Sequence, residues 1–424
     1  MSILLSLHNK LEKAAPVLSN LIVVLIGTYI FFNPFPHTTA LKEISFYLAI
    51  GLIGVSLVLK KGSFSFDSPL SRPFLFIFLW AVICLPLAIN RDNTLHDIYA
   101  HLIKYFVIYF MIMNYFHSSH KLNALLWTII ISVSSFCIWS VIYYYLILGH
   151  PISEQLGAAV FKEITTNTIG IVTVFGILLS LQKLNMETTG WLRYTLSAMI
   201  ILMTLTTLLT QTRGAIIAMF CVLIILSFRN RKILIFIIAI IICVSLLPIK
   251  SRLMPENIMI KVKDDDRLRI AFMYIEVIKD FPIQGIGFGM QSYADDKFTR
   301  VYLERTDPAR RTIRLYRAPH NFIIDILVRL GIVGLALYLY ALYRALVMIV
   351  GLVKDDRNIG YRDWGLTFLC TFIAFIIQGM FENVHSGPPA IVFYTLLALV
   401  TVFWRFQRED KANDVARHER ACST

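Results

Sequence analysis

The sequence predicts an all-α polytopic membrane protein, and three observations carry that prediction. Of its 424 residues, 57% are hydrophobic and 16% charged. A soluble domain carries about 45–50% apolar and roughly 25% charged residues, so one soluble core does not hide the excess. The apolar residues fall in long runs. Against the roughly 20 residues a helix needs to cross a bilayer core, the chain offers about 12 spans. Lys and Arg, finally, crowd alternate connections between these runs, as they do in cytoplasmic loops of membrane proteins.

Taken in order, the spans centre near residues 17–33, 43–59, 73–89, 98–116, 122–148, 167–182, 194–210, 215–228, 233–249, 332–353, 364–380 and 388–405. The first follows Lys10 and Lys13 and resembles a signal peptide. Asn33, Pro34 and Pro36 follow it instead of a small-residue cleavage site, so it reads as an uncleaved span. The 215–228 run is short and is expected to be tilted or partly covered by protein. With the N-terminus inside, the inside segments hold 19 Lys and Arg. The short outer loops carry few, Arg91, Lys162 and Arg213 among them. This predicts both termini inside and four regions: spans one to nine over 1–249, a large outer loop over 250–320, the last three spans over 321–408, and an inside tail over 409–424.

The net charge of +13 would suggest nucleic acid in a soluble chain, but here the positive-inside bias accounts for it. Six cysteines are present, five of them (Cys84, Cys137, Cys221, Cys243 and Cys370) inside apolar runs, none with metal-ligand spacing. They read as small buried hydrophobes and not as a disulfide framework or metal site.

The 250–320 segment breaks the hydrophobic pattern. It carries 14 Lys and Arg, and loops of that length are usually functional or disordered. Order is expected over 267–281, where Leu268, Ile270, Ala271, Met273, Tyr274, Val277 and Ile278 recur with helical period before Pro282. Gly285, Gly287 and Gly289 then predict a tight or closely approached backbone. They lack the helix start and Lys of a phosphate-binding P-loop. After His320, Phe322–Leu330 reads as a helix leading into the next span.

Three residues carry candidate chemistry. Arg213 stands in Thr212-Arg213-Gly214 between two spans at the outer face. It reads either as a snorkelling, topology-setting Arg or as an anion site, since guanidinium binds phosphate bidentately and keeps its charge. Arg267 opens the loop helix, after Asp264, Asp265 and Asp266; consecutive acids at a helix start read as solvated residues complementing the dipole, not as metal ligands. His320, in Pro319-His320-Asn321, sits where the loop re-enters the membrane. There a His serves as general base, caps a helix or meets a headgroup. Glu382, Asn383 and His385 form a small polar outer turn, for which lining substrate is the weaker reading. Arg91, Asp92 and His96 read as a charge cluster.

Together, Thr212-Arg213-Gly214, Arg267-Leu268, the Pro282–Gly289 run, and His320-Asn321 with Gly331 and Gly334 resemble the bacterial O-antigen ligase/polymerase superfamily, over residues of about 200–340. The resemblance implies a periplasmic 250–320 loop and a multi-pass protein of the inner membrane. It implies a glycosyltransferase moving a glycan from undecaprenyl diphosphate to the lipid A–core oligosaccharide, with no cofactor or metal. It places Arg213 and Arg267 on the diphosphate and His320 on the acceptor hydroxyl. Apart from the resemblance, density of charge alone suggests that Arg310 and Arg311, with Arg305, Arg314 and Arg317, hold a phosphorylated acceptor. An O-antigen polymerase and a protein O-oligosaccharyltransferase share the donor and differ in the acceptor. A transporter of lipid-linked sugar is the rival from another class; it would place charged sites near the midplane. The partners expected are the lipid-linked glycan, the lipid A–core acceptor and membrane lipid, with no nucleic acid.

Overall fold

Among the described residues, the long apolar runs wind into helix. The computed structural model describes residues 2–59, 64–157, 164–246, 266–290, 292–293, 295–311, 318–382 and 384–422, and no strand occurs among them. Lys162, Asp264, Asp265, Arg314, Arg317 and Asn383 lie outside the described residues.

The order is α1 (Ser2–Phe32), α2 (Thr39–Val58), α3 (Ser71–Ile83), α4 (Arg91–Asp97), α5 (Lys104–Tyr115), α6 (Ser119–Val141), α7 (Thr166–Met186), α8 (Gly190–Leu209), α9 (Arg213–Ser227) and α10 (Arg231–Leu246). Then come α11 (Asp266–Asp280), α12 (Asp296–Arg305), α13 (Phe322–Val353), α14 (Ile359–Gly379) and α15 (Gly387–Cys422). Wider π-helical turns over Ile98–Ile103 and Ile142–Ile147 join α4 to α5 and extend α6. Side-chain caps start several helices: Ser118 accepts from Lys121 N, Thr165 from Thr168 N and Asn321 from Ile323 N and Ile324 N. Each satisfies backbone donors that have no partner within the helix.

Among the described residues, six helices are long and apolar enough to cross a membrane: Thr39–Val58, Ser119–Ile147, Thr166–Met186, Gly190–Leu209, Phe322–Val353 and Gly387–Arg417. Pro16–Phe32, Ser71–Leu87 and Arg213–Ser227 are shorter apolar helices. The last matches the short run expected near 215–228; its Ala215, Ala218, Met219, Val222 and Leu223 are buried among neighbouring helices. Many large apolar side chains nonetheless face outward, among them Val58, Leu146, Phe228 and Ile235. So much exposed apolar surface is what a lipid-facing perimeter requires and what a soluble monomer avoids. Two helices run deepest: α7, whose residues from Thr168 to Ser180 are all buried, and α15, buried from Ala390 to Phe403.

Residues 266–311 fold as a small cap on one end of the bundle. The apolar face expected over 267–281 is real: Ile270, Met273, Tyr274 and Val277 are buried against Ile286, Tyr293, Tyr302 and Val328. The cap is anchored at a break in α13. There Gly331 has φ 65° and ψ −168°, a backbone state only glycine adopts without strain. The break frees carbonyls, and the glycine run takes them up. Ile286 N donates to Val328 O at 2.8 Å, Gly287 N to Arg329 O at 3.0 Å, and Ile332 N to Pro282 O at 2.9 Å. A Cβ on Gly285 would meet the Arg329 carbonyl carbon at 2.5 Å, and one on Gly331 would meet Ile283 O at 2.0 Å. The glycines therefore permit backbone to lie on backbone.

The same joint holds a buried ion pair. Asp325 and Arg329, one turn apart on α13, are 3.4 Å apart and almost wholly enclosed. Tyr293 donates to Asp325 at 2.5 Å, and Arg329 Nε donates to Phe288 O at 2.8 Å, with its guanidinium over the Phe288 ring. Desolvating both charges is tolerable only because each finds additional partners.

Candidate active site

The site grows from the turn between α14 and α15, at Phe381 and Glu382. Three separate pieces of chain reach it, and each carries one of the residues singled out by the sequence.

The first piece is the α8–α9 turn. Gln211 adopts φ 49°, in the left-handed region that costs a non-glycine residue about 1 kcal/mol or more. Its surroundings hold it there. Thr210 Oγ1 donates to Thr207 O at 2.6 Å, the Thr210 and Thr212 hydroxyls lie 2.8 Å apart, and Gln211 Nε2 donates to Ser153 O at 3.0 Å. All three residues are buried. The turn delivers Arg213 to the first position of α9, while Gly214 lets the Phe381 ring approach; a Cβ there would stand 3.1 Å from it. The second piece is α11, which sets the Arg267 guanidinium 5.6 Å from the centre of the Phe381 ring.

The third piece carries His320. Its φ of 50° is again left-handed. The chain reverses at this residue, and Asn321 immediately caps α13 while its amide donates to Met380 O at 3.4 Å. The imidazole Nδ1 lies 3.3 Å from Glu382 Oε1. The second carboxylate oxygen, Oε2, accepts from the Asn167 amide at the start of α7. A carboxylate only accepts, so it selects the tautomer with the proton on Nδ1 and leaves Nε2 as the basic nitrogen. Orientation by a carboxylate of this kind is the arrangement general bases use.

The structure thus gathers the N-terminus of α9 with Arg213, Arg267 and His320 around Phe381–Glu382. The sequence marked Glu382 only as part of a polar turn. The helper it supplies to His320 lies 62 residues away along the chain, and nothing in local spacing connects them. Asn167, which fixes the second oxygen, had no signal beyond its place near a helix start.

The other candidates have partners within the cap. Arg310 stacks over Phe272 of α11, its guanidinium 4.9 Å from the ring centre. Arg311 donates to Glu304 O at 2.7 Å and Thr306 O at 3.2 Å, which caps the end of α12. Arg305 pairs with Asp280. Asp266 is the first residue of α11. Among the described residues, no group of three or more His, Cys, Asp or Glu is arranged to hold a metal ion.

Beside the site, His385 lies between Phe322 and Tyr338, 5.2 Å from the latter ring centre to centre. Burial pushes its imidazole down to about 4, with Asp325 opposing and Arg329 reinforcing the shift.

Residues 198–339 match the family model Wzy_C, described as O-antigen ligase. No curated protein matches the chain. The matched segment contains Arg213, Arg267 and His320; Asn167, Phe381 and Glu382 lie outside it.

Proposed function

We propose, from the match of residues 198–339 to the O-antigen ligase family model, that this chain is an O-antigen ligase. Such an enzyme transfers a glycan from undecaprenyl diphosphate to the lipid A–core oligosaccharide. The observation that supports this reading is the meeting of Arg267, His320 and the start of α9, which carries Arg213, about one turn, with Glu382 on the imidazole.

The reaction asks two things of a protein. The departing carrier diphosphate gathers negative charge, and the attacking sugar hydroxyl must lose a proton. Arg213 and Arg267 answer the first need. Fixed donors aimed at developing charge in a site shielded from water are worth about 3–4 kcal/mol each. His320 answers the second: Nε2 takes the hydroxyl proton as the oxygen attacks the anomeric carbon, and Glu382 supports the imidazolium that forms. The carbon–oxygen bond to the diphosphate breaks as the new glycosidic bond forms, so a single displacement inverts the anomeric centre. Arg213 and Arg267 supply the charge without a metal or cofactor, and activity resistant to chelators is expected. Arg310, exposed on the cap, and Arg311 beside it would meet the phosphorylated acceptor, a role in which Arg311 would also keep its hydrogen bond to Glu304 O.

In this reading the protein is a multi-pass protein of the inner membrane. The runs that form α1, α3, α5, α9, α10 and α14 complete about 12 spans, and the 250–320 loop with its cap faces the periplasm. A transporter is disfavoured because the strained turns, guanidiniums and imidazole cluster at one end of the bundle, not near its middle.

The test is direct. Purified protein, lipid-linked glycan and lipid A–core acceptor in detergent should yield glycosylated core and free carrier diphosphate. Joining of donor glycans to one another, with the core left bare, would assign a polymerase instead. No new glycosidic bond with any acceptor would refute the enzyme.

A further inference from the structure

The end of the bundle away from His320 holds a second constellation that glycosyl transfer does not use. A cavity of about 650 Å³ opens between the connection from α2 to α3, the later part of α13 and the later part of α15. Its lining includes Arg72, Arg344, Arg405 and Arg408 with Trp404, against two acids, Asp67 and Glu409. We infer that this cavity is a binding site for a phosphate group, presented by an anionic phospholipid at the membrane face opposite the active site.

Charge is the first argument. Among the described residues, none of the four guanidiniums forms an ion pair. Their contacts are with neutral groups: Arg405 donates to the Asp67 backbone carbonyl, Arg344 to the Tyr340 hydroxyl at 3.2 Å, and Arg408 lies over the Trp404 ring at 4.8 Å. Four fixed cations facing two carboxylates leave two positive charges uncompensated around one concavity. Guanidinium is the side chain best matched to phosphate, which it binds through two parallel hydrogen bonds.

Depth is the second argument. Helix α13 begins at Phe322 beside His320, and α15 begins at Gly387 just past Glu382. Arg344 and Arg405 come 22 and 18 residues later, which at about 1.5 Å per residue is roughly 27–33 Å along the helices. That is about the thickness of a bilayer's hydrocarbon core. The cavity therefore stands at headgroup level of the other leaflet. Trp404 and Tyr340 mark it as an interface, where aromatic residues with a polar tip collect. Basic pockets between membrane helices at this level hold acidic headgroups. Free phosphate offers the same chemistry from solution, and the experiment separates the two sources.

Full-length protein is reconstituted in nanodiscs of phosphatidylcholine with a minor share of phosphatidylglycerol, and retained lipid is read by native mass spectrometry. Preferential retention of phosphatidylglycerol is expected, falling about fivefold for each Arg neutralised, or about 25-fold for R344Q/R405Q. R72Q/R408Q changes the two exposed members and gives the same readout where the half-buried pair disturbs folding. Arg231→Gln, a cation at the same end but outside the cavity, should leave retention unchanged. In pure phosphatidylcholine discs, inorganic phosphate that binds with the same dependence on the four Arg supports the anion site with a soluble source. Equal retention of both lipids with no response to phosphate, or a loss in Arg231→Gln as large as in the cavity variants, overturns the site. None of these readouts depends on glycosyl transfer.

Discussion

Glu382→Gln is the sharpest perturbation of the proposed chemistry. The substitution keeps the side chain's volume and an oxygen for the Asn167 amide, and removes the negative charge 3.3 Å from His320 Nδ1. The carboxylate is 13% exposed, so little water screens it. A hydrogen bond to a charged partner is worth about 1.5–3 kcal/mol. If that support is felt fully when the imidazole takes the acceptor proton, kcat falls roughly 10- to 150-fold. His320→Ala removes the base itself and should cost about 100- to 10,000-fold. The decisive comparison is the double variant. Residues acting as one unit are not additive, so Glu382→Gln on top of His320→Ala should cost little more. The assay is single-turnover transfer with purified protein, donor in excess of its dissociation constant. Unchanged turnover in Glu382→Gln, or two losses that simply multiply, would refute the dyad.

Other outcomes follow from the geometry. Arg213→Lys should recover only a small part of the transfer lost in Arg213→Ala, measured in the same assay, because an ammonium cannot form the planar fork. Asp325→Ala leaves Arg329 charged and enclosed, and should lower stability by about 3–5 kcal/mol, read as thermal unfolding in detergent. Gly285→Ala forces a side chain onto the Arg329 backbone at φ 68° and should loosen the cap, detectable as faster proteolysis between α10 and α13. Stability should also fall as the pH drops from about 6.5 toward 4. There the unfolded chain binds a proton at His385 that the folded one refuses, a loss of up to about 3 kcal/mol. His385→Phe should flatten that slope.

The helical class was legible because the apolar runs are long and charge gathers at their ends. The cap helix was legible because Ile270, Met273, Tyr274 and Val277 recur with helical period over a polar background. Arg213 stood out as a cation between two apolar runs, and His320 as an imidazole at a re-entry point. Partnership was not legible. Glu382 meets His320 only because α14 and α15 turn beside the start of α13, a product of tertiary packing. The pairing of Asp325 with Arg329 carries no signal in the Phe322–Leu330 run, since their enclosure comes from Tyr293 and Phe288 on a distant segment. Gly331 was visible as a glycine following His320, but its role as a helix break depends on the glycine run that supplies the missing donors.

That break fastens the cap to the bundle. The stretch of α13 before Gly331 gives the Val328 and Arg329 carbonyls to the glycine run, while its Phe322, Ile326 and Leu330 sit in the main apolar core. The glycine run is pinned a second time from the other side: Ile89 N donates to Ile286 O at 3.0 Å, and Met290 N donates to Asp97 Oδ2 at 2.6 Å. Trp80 adds its indole N–H to Leu330 O at 2.9 Å. His320 therefore stands at the head of a segment moored to three stretches of chain, and the spacing between imidazole and carboxylate is inherited from backbone rather than from loop side chains.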